Sequence, residues 1–275
     1  MPTVTRDQVR LHYTDAGDGP PLLFHTGGAG DGRMWEIAGY TQILTPARQI
    51  VMDHRGHGQS DCPEDLASHR VEEYVDDLIA VLDAAEVEQA VIVGYSAGAS
   101  VAYRAAAWYP ERCSALVAIG GVPLSDQPRP SSNQLIDHVR EHGVRATIEA
   151  LAADESEPCP PLLLENLSST KAEMFALLME AWLDAPSVWD CFPLITATAL
   201  IICGEHEDEQ GETAQAAATM RNGHALVLPG LGHLQAFWHR ELTPPLIRDF
   251  LQERWLIGVL DAAEVEQAIM YTPRV

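Results

Sequence analysis

The chain alternates between short apolar runs and longer stretches in which apolar positions recur every three or four residues. The runs at residues 22–24, 50–53, 90–94, 115–120, 199–204 and 225–229 read as strands, and residues 3–5 and 9–13 read as strands that open the fold. Helical spacing fills most of the intervals. Strands alternating with helices predict an α/β protein with a mostly parallel central sheet flanked by helices on both faces. The alternation breaks once. From residue 123 to 195 there is no convincing strand, and Pro123, Pro128, Pro130, Pro158, Pro160 and Pro161 separate helical patterns at residues 135–151 and 171–183. This predicts a helical cap, residues 123–195, inserted after the fifth or sixth strand into a core made of residues 1–122 and 196–255. Such an insert would cover the carboxyl ends of the strands, where open α/β sheets bind ligands.

A nine-residue segment, Leu82 to Ala90, recurs identically as Leu260 to Ala268, with no repeating period around either copy. A solenoid is thereby excluded. Residues 256–275 read as a tail without a catalytic role, or else as an element exchanged with a neighbouring subunit; oligomeric state is left open.

At 275 residues and 47% apolar composition the chain can bury a large core, and it holds no apolar run long enough to span a membrane. Its formal charge is −23, with Lys171 the only lysine, so nucleic acid and anionic membranes are not expected as partners. The charge implies surface solubility, or a preference for salty surroundings that relieve self-repulsion. Five scattered cysteines argue against a disulfide framework or a zinc site, and the first residues show no export signal, so a cytoplasmic location is expected.

The candidate chemistry begins where the apolar run at 90–94 stops, in Gly94-Tyr95-Ser96-Ala97-Gly98, followed by an alanine-rich helical stretch. A serine hydroxyl is a weak nucleophile and must be exposed, oriented and deprotonated by a neighbour. A tight strand-to-helix elbow exposes and orients it, and leaves room only for glycine two residues to either side. The expected chain order is then serine, acid, histidine. His233, in Pro229-Gly230-Leu231-Gly232-His233, is the candidate base. Between them the strand at 199–204 runs into Glu205, Glu207, Asp208 and Glu209, one of which should orient the histidine. The backbone N–H of Ala97 and one from the glycine-rich loop at residues 25–30 would form an oxyanion hole. The same glycines lack the lysine of a phosphate loop and the spacing of a dinucleotide site. His54 and His57 have no third ligand at a telling distance, so neither a metal nor another cofactor is expected.

Taken together, the elbow, the loop after His25, the stretch Asp53-His54-Arg55-Gly56-His57-Gly58-Gln59-Ser60, the acidic strand end and Gly232-His233 resemble the α/β-hydrolase superfamily over about residues 3–254. The resemblance implies an α/β-hydrolase fold. It places the acid at Glu207, three residues beyond the strand's last glycine, with Asp208 as the alternative because aspartate is usual there. It favours Gly27 over Gly28 for the second oxyanion N–H, and it implies a structural role for residues 53–60. The expected activity is serine-dependent hydrolysis of a carboxylic ester or lactone of a small-to-medium hydrophobic molecule, with His25, Tyr95 and Trp182 bordering the substrate. Alternatives are hydrolysis of a carbon–carbon bond beside a ketone, or a ligand receptor without turnover. Serine rather than aspartate at residue 96 argues against opening epoxides through an alkyl-enzyme ester.

Overall fold

The computed structural model describes residues 2–120, 130–153, 155–208 and 210–254. The second copy of the nine-residue repeat lies outside them. The described strands are β1 (Thr3–Arg6), β2 (Val9–Ala16), β3 (Pro21–His25), β4 (Arg48–Asp53), β5 (Ala90–Tyr95), β6 (Cys113–Ile119), β7 (Thr198–Gly204) and β8 (Gly223–Leu228). They form one sheet in the order β1-β2-β4-β3-β5-β6-β7-β8, with β2 antiparallel to both β1 and β4 and every later pairing parallel. The helices are α1 (Arg33–Ile37), α2 (Tyr40–Ile43), α3 (Val71–Ala84), α4 (Ala97–Trp108), α5 (Pro130–Leu151), α6 (Pro161–Leu167), α7 (Ala172–Ala181), α8 (Glu212–Thr219), α9 (His233–Trp238) and α10 (Thr243–Glu253). Among the described residues no helix is long and apolar enough to cross a membrane.

Strand alternation divides the core into two layers. Leu23, Ile50, Ile92, Leu116 and Ile201 face α3, α4 and α8 on one side. Leu22, Phe24, Val93, Val117 and Ile202 face α1, α2, α9, α10 and the insert's helices on the other. β5 is buried at all six positions, which is why it reads as a continuous apolar run rather than an alternating one.

The insert leaves after β6 and returns at β7. Two features depart from its sequence pattern. The spacing at 135–151 predicts one helix, but Gly143 (φ 81, ψ 166) breaks α5 into two helical pieces. Pro160 and Pro161 read as a joint, whereas Pro161 opens α6, where a fixed φ and a missing N–H cost nothing.

Candidate active site

Ser96 stands between β5 and α4 with φ 53 and ψ −115, a conformation that residues with a Cβ seldom adopt. The two flanking glycines permit it. A Cβ on Gly94 would fall 2.3 Å from the carbonyl oxygen of Gly98, and one on Gly98 would fall 2.3 Å from that of His25. The elbow is therefore locked by backbone-to-backbone contact against the end of β3.

His233 begins α9, and its Nε2 lies 3.0 Å from Ser96 Oγ. Its Nδ1 lies 2.6 Å from Oε2 of Glu207, whose other oxygen accepts the Gly204 N–H at 3.0 Å. Backbone contact again brings the parts together, since a Cβ on Gly204 would lie 2.3 Å from the Leu231 carbonyl oxygen. Asp208 does not reach the ring. Its Oδ1 accepts the N–H and hydroxyl of Thr213, both at 2.9 Å, at the start of α8. Glu205 is engaged with the Gly230 N–H at 2.8 Å. Burial opposes protonation of His233, but the charge and hydrogen bond of Glu207, with the charge of Glu155 behind them, hold the ring's pKa above its ordinary value.

The loop after β3 supplies the facing wall. The Cα of Gly27 lies against Ser96, so that a Cβ there would sit 3.4 Å from Cβ of Ser96, while Gly28 lies under the Phe175 ring and Leu178 of α7. Three buried histidines stand behind this loop. His25 Nδ1 is 3.0 Å from the Thr26 carbonyl, His54 Nε2 is 2.9 Å from that of Gly27, and His57 Nε2 is 2.9 Å from that of Gly28. In a trans peptide the N–H points opposite to the C=O, so the N–H groups of Gly27, Gly28 and Ala29 turn away from the rings. Burial pulls the pKa of His25 down to about 4 and depresses those of His54 and His57, keeping all three rings neutral.

Of the side chains expected to border the substrate, His25 and Tyr95 are buried and Trp182 is partly buried. His25 is 1% exposed and stacks on His54 beneath the loop. Tyr95 is buried between His233 and Phe237, its hydroxyl donating to the His233 carbonyl at 3.4 Å. Trp182 donates its indole N–H to the His69 carbonyl at 2.9 Å and packs edge-on against Tyr74. His25 and Tyr95 thus back the Gly27 loop and His233 from beneath, because strand direction turns their side chains inward, while Trp182 packs partly buried at the edge of the insert.

Sequence reasoning missed two contributors. Gly120 (φ 57) follows β6, at a point where a Cβ would lie 3.0 Å from the His233 ring; the apolar run that ends in Gly120-Gly121 is its one signal. Glu155, in the insert, accepts N–H groups from Gly232 and Leu234 at 2.9 and 3.0 Å. Nothing in the sequence links residues so far apart.

A family model described as alpha/beta hydrolase fold matches residues 20–188. A protein named epoxide hydrolase from Caballeronia sordidicola is 28% identical over 170 residues, which cover 58% of this chain and half of that protein's length. Among solved structures, a thermophilic esterase from Thermogutta terrifontis superposes with a TM-score of 0.76 at 23% identity, covering 91% of this chain and 96% of the esterase. The enol-lactonase from Burkholderia xenovorans LB400 also superposes with a TM-score of 0.76, at 20% identity, covering 91% of this chain and 100% of the lactonase. With its mostly parallel eight-stranded sheet, its glycine-locked elbow and a family match over more than half its length, the chain belongs to the α/β-hydrolase fold family.

Proposed function

We propose that the protein is a serine hydrolase that cleaves a carboxylic ester or lactone of a small-to-medium hydrophobic molecule through an acyl-enzyme intermediate. The observation that carries this reading is the chain of contacts from Ser96 Oγ through His233 to Glu207, at 3.0 and 2.6 Å. Ser96 attacks the carbonyl carbon while its proton passes to His233 Nε2, and Glu207 accepts the Nδ1–H and steadies the imidazolium. The N–H groups of Gly27 and Ala97 receive the developing oxyanion. The C–O bond then breaks, with His233 returning its proton to the leaving oxygen. Water, deprotonated by the same ring, releases the acyl group and restores Ser96.

Phe175 and Leu178 above Gly28 make that side of the site apolar, which favours a hydrophobic acyl or alcohol group. The esterase and lactonase similarities support the same reaction class. Epoxide opening through an alkyl-enzyme ester needs a carboxylate nucleophile, and residue 96 is serine.

Release of p-nitrophenol from short-chain esters tests the reading, together with fluorophosphonate labelling and mapping of the modified residue. Turnover lost in Ser96→Ala, with the label on Ser96, is expected. A label elsewhere, or turnover surviving in Ser96→Ala, overturns the nucleophile; turnover of a vinylogous diketone but of no ester moves the same residues to carbon–carbon bond hydrolysis.

A further inference from the structure

We propose that Glu155 is a positioning residue for His233: its carboxylate, reaching out of the helical insert, clasps the peptide N–H groups on either side of the histidine and fixes where the ring stands over Ser96. The inference rests on the serine-hydrolase reading above. The first N–H groups of any helix lack partners within it and are ordinarily capped by a side chain just before the helix. Gly232 occupies that place before His233 and has no side chain to offer. Glu155 performs the capping from 77 residues away, with one oxygen 2.9 Å from the Gly232 nitrogen and the other 3.0 Å from that of Leu234. The two positions specify each other, because a Cβ on Gly232 would lie 2.6 Å from both carboxylate oxygens. Ser156 extends the clasp through its hydroxyl, 2.8 Å from the side-chain oxygen of Gln235.

The insert therefore helps hold the histidine as well as roofing the site. The groups facing His233 are Ser96, Tyr95 of β5, Glu207 after β7, and Glu155 from the insert; the last two are the carboxylates whose charges favour the imidazolium. A misplaced ring weakens proton transfer far more than substrate binding. The expected effect of Glu155→Ala is thus a fall in kcat on the order of ten- to a hundredfold, with KM little changed.

The test compares Glu155→Ala, the isosteric Glu155→Gln and the pair Glu155→Ala/Gly232→Ser on a p-nitrophenyl ester, with Ser96→Ala as control. Removing the negative charge in Glu155→Gln is expected to move the acid limb of the pH–rate profile to lower pH. In the pair, a hydroxyl placed before the helix takes over the capping and is expected to restore part of the lost kcat. If Glu155→Gln keeps the wild-type kcat and acid limb, the inference fails. It fails equally if Glu155→Ala loses activity only in proportion to unfolded protein. Turnover persisting in Ser96→Ala would instead overturn the hydrolase reading itself.

Discussion

Ser96 keeps φ at 53 and ψ at −115 while carrying a Cβ, and the glycine contacts around it leave the backbone no relaxed alternative. Such a conformation stores on the order of 1–3 kcal/mol in a non-glycine residue. Ser96→Ala and Ser96→Gly both delete the hydroxyl, but only the second relieves the backbone. Ser96→Gly is therefore expected to be the more stable inactive variant by about 1 kcal/mol, after allowing for glycine's larger loss of chain entropy. Urea denaturation of the two variants measures the difference, and a Ser96→Gly variant less stable than Ser96→Ala, by the entropy cost of glycine alone, would show that the elbow is unstrained. The same residue scale shows what was legible. Ser96 and His233 stood out because glycines mark sharp turns at the ends of apolar runs. The acid did not, because Glu205, Glu207 and Asp208 share one turn and differ only in which neighbour claims them: Gly230, the His233 ring and Thr213 respectively. His25 and Tyr95 carry suggestive side chains, yet their positions at the ends of β3 and β5 send those side chains under the loop and against α9.

At the scale of elements, the loop after β4 is tied to α3 through Arg55, whose guanidinium meets both oxygens of Asp77 at 2.7 and 2.8 Å, with almost no exposure of either side chain. Arg6 of β1 adds a third contact to Asp77 at 2.8 Å. His54 and His57, behind the loop that follows β3, flank this anchor in the chain, so its integrity bears on Gly27 as well as on the core. Asp77→Ala would leave the buried Arg55 charge with only Glu73, at 3.4 Å, as a carboxylate partner and is expected to cost about 3 kcal/mol. The double variant Asp77→Ala/Arg55→Leu should recover part of that loss, because the buried and now poorly compensated charge is gone. Thermal or urea unfolding of both reads this directly; a double variant no better than the single one would assign the cost to lost packing. The strands were readable because a buried parallel sheet demands apolar runs. The insert's grip on the core was not. Thr170 meets the Gly30 N–H at 2.8 Å, and Asn166 donates to Asp31 at the same distance. These polar contacts join positions 140 and 135 residues apart, with no local pattern to announce them.

Across the whole molecule, 40 acidic side chains face 17 basic ones, so the folded state carries a large uncompensated negative charge. Two effects of salt compete. Added ions screen repulsion among distant carboxylates, which stabilises the compact state, and they weaken exposed ion pairs such as Arg145–Glu149 and Arg140–Glu173, which destabilises it. Range decides between them. The exposed pairs lie within 4 Å, close to the screening length of about 3 Å reached near 1 M salt, and each contributes only about 0.2–1 kcal/mol. Repulsion acts over separations well beyond the screening length of about 10 Å at 0.1 M and is removed first. The buried Arg55–Asp77 pair is largely shielded from salt. Tm is therefore expected to rise with sodium chloride, most steeply below about 0.3 M, where the screening length changes fastest. A thermal series at neutral pH from about 0.02 to about 1 M measures this. A flat or falling Tm would mean that the acidic surface is already neutralised by local pairing, and that the charge imbalance has little bearing on folded stability.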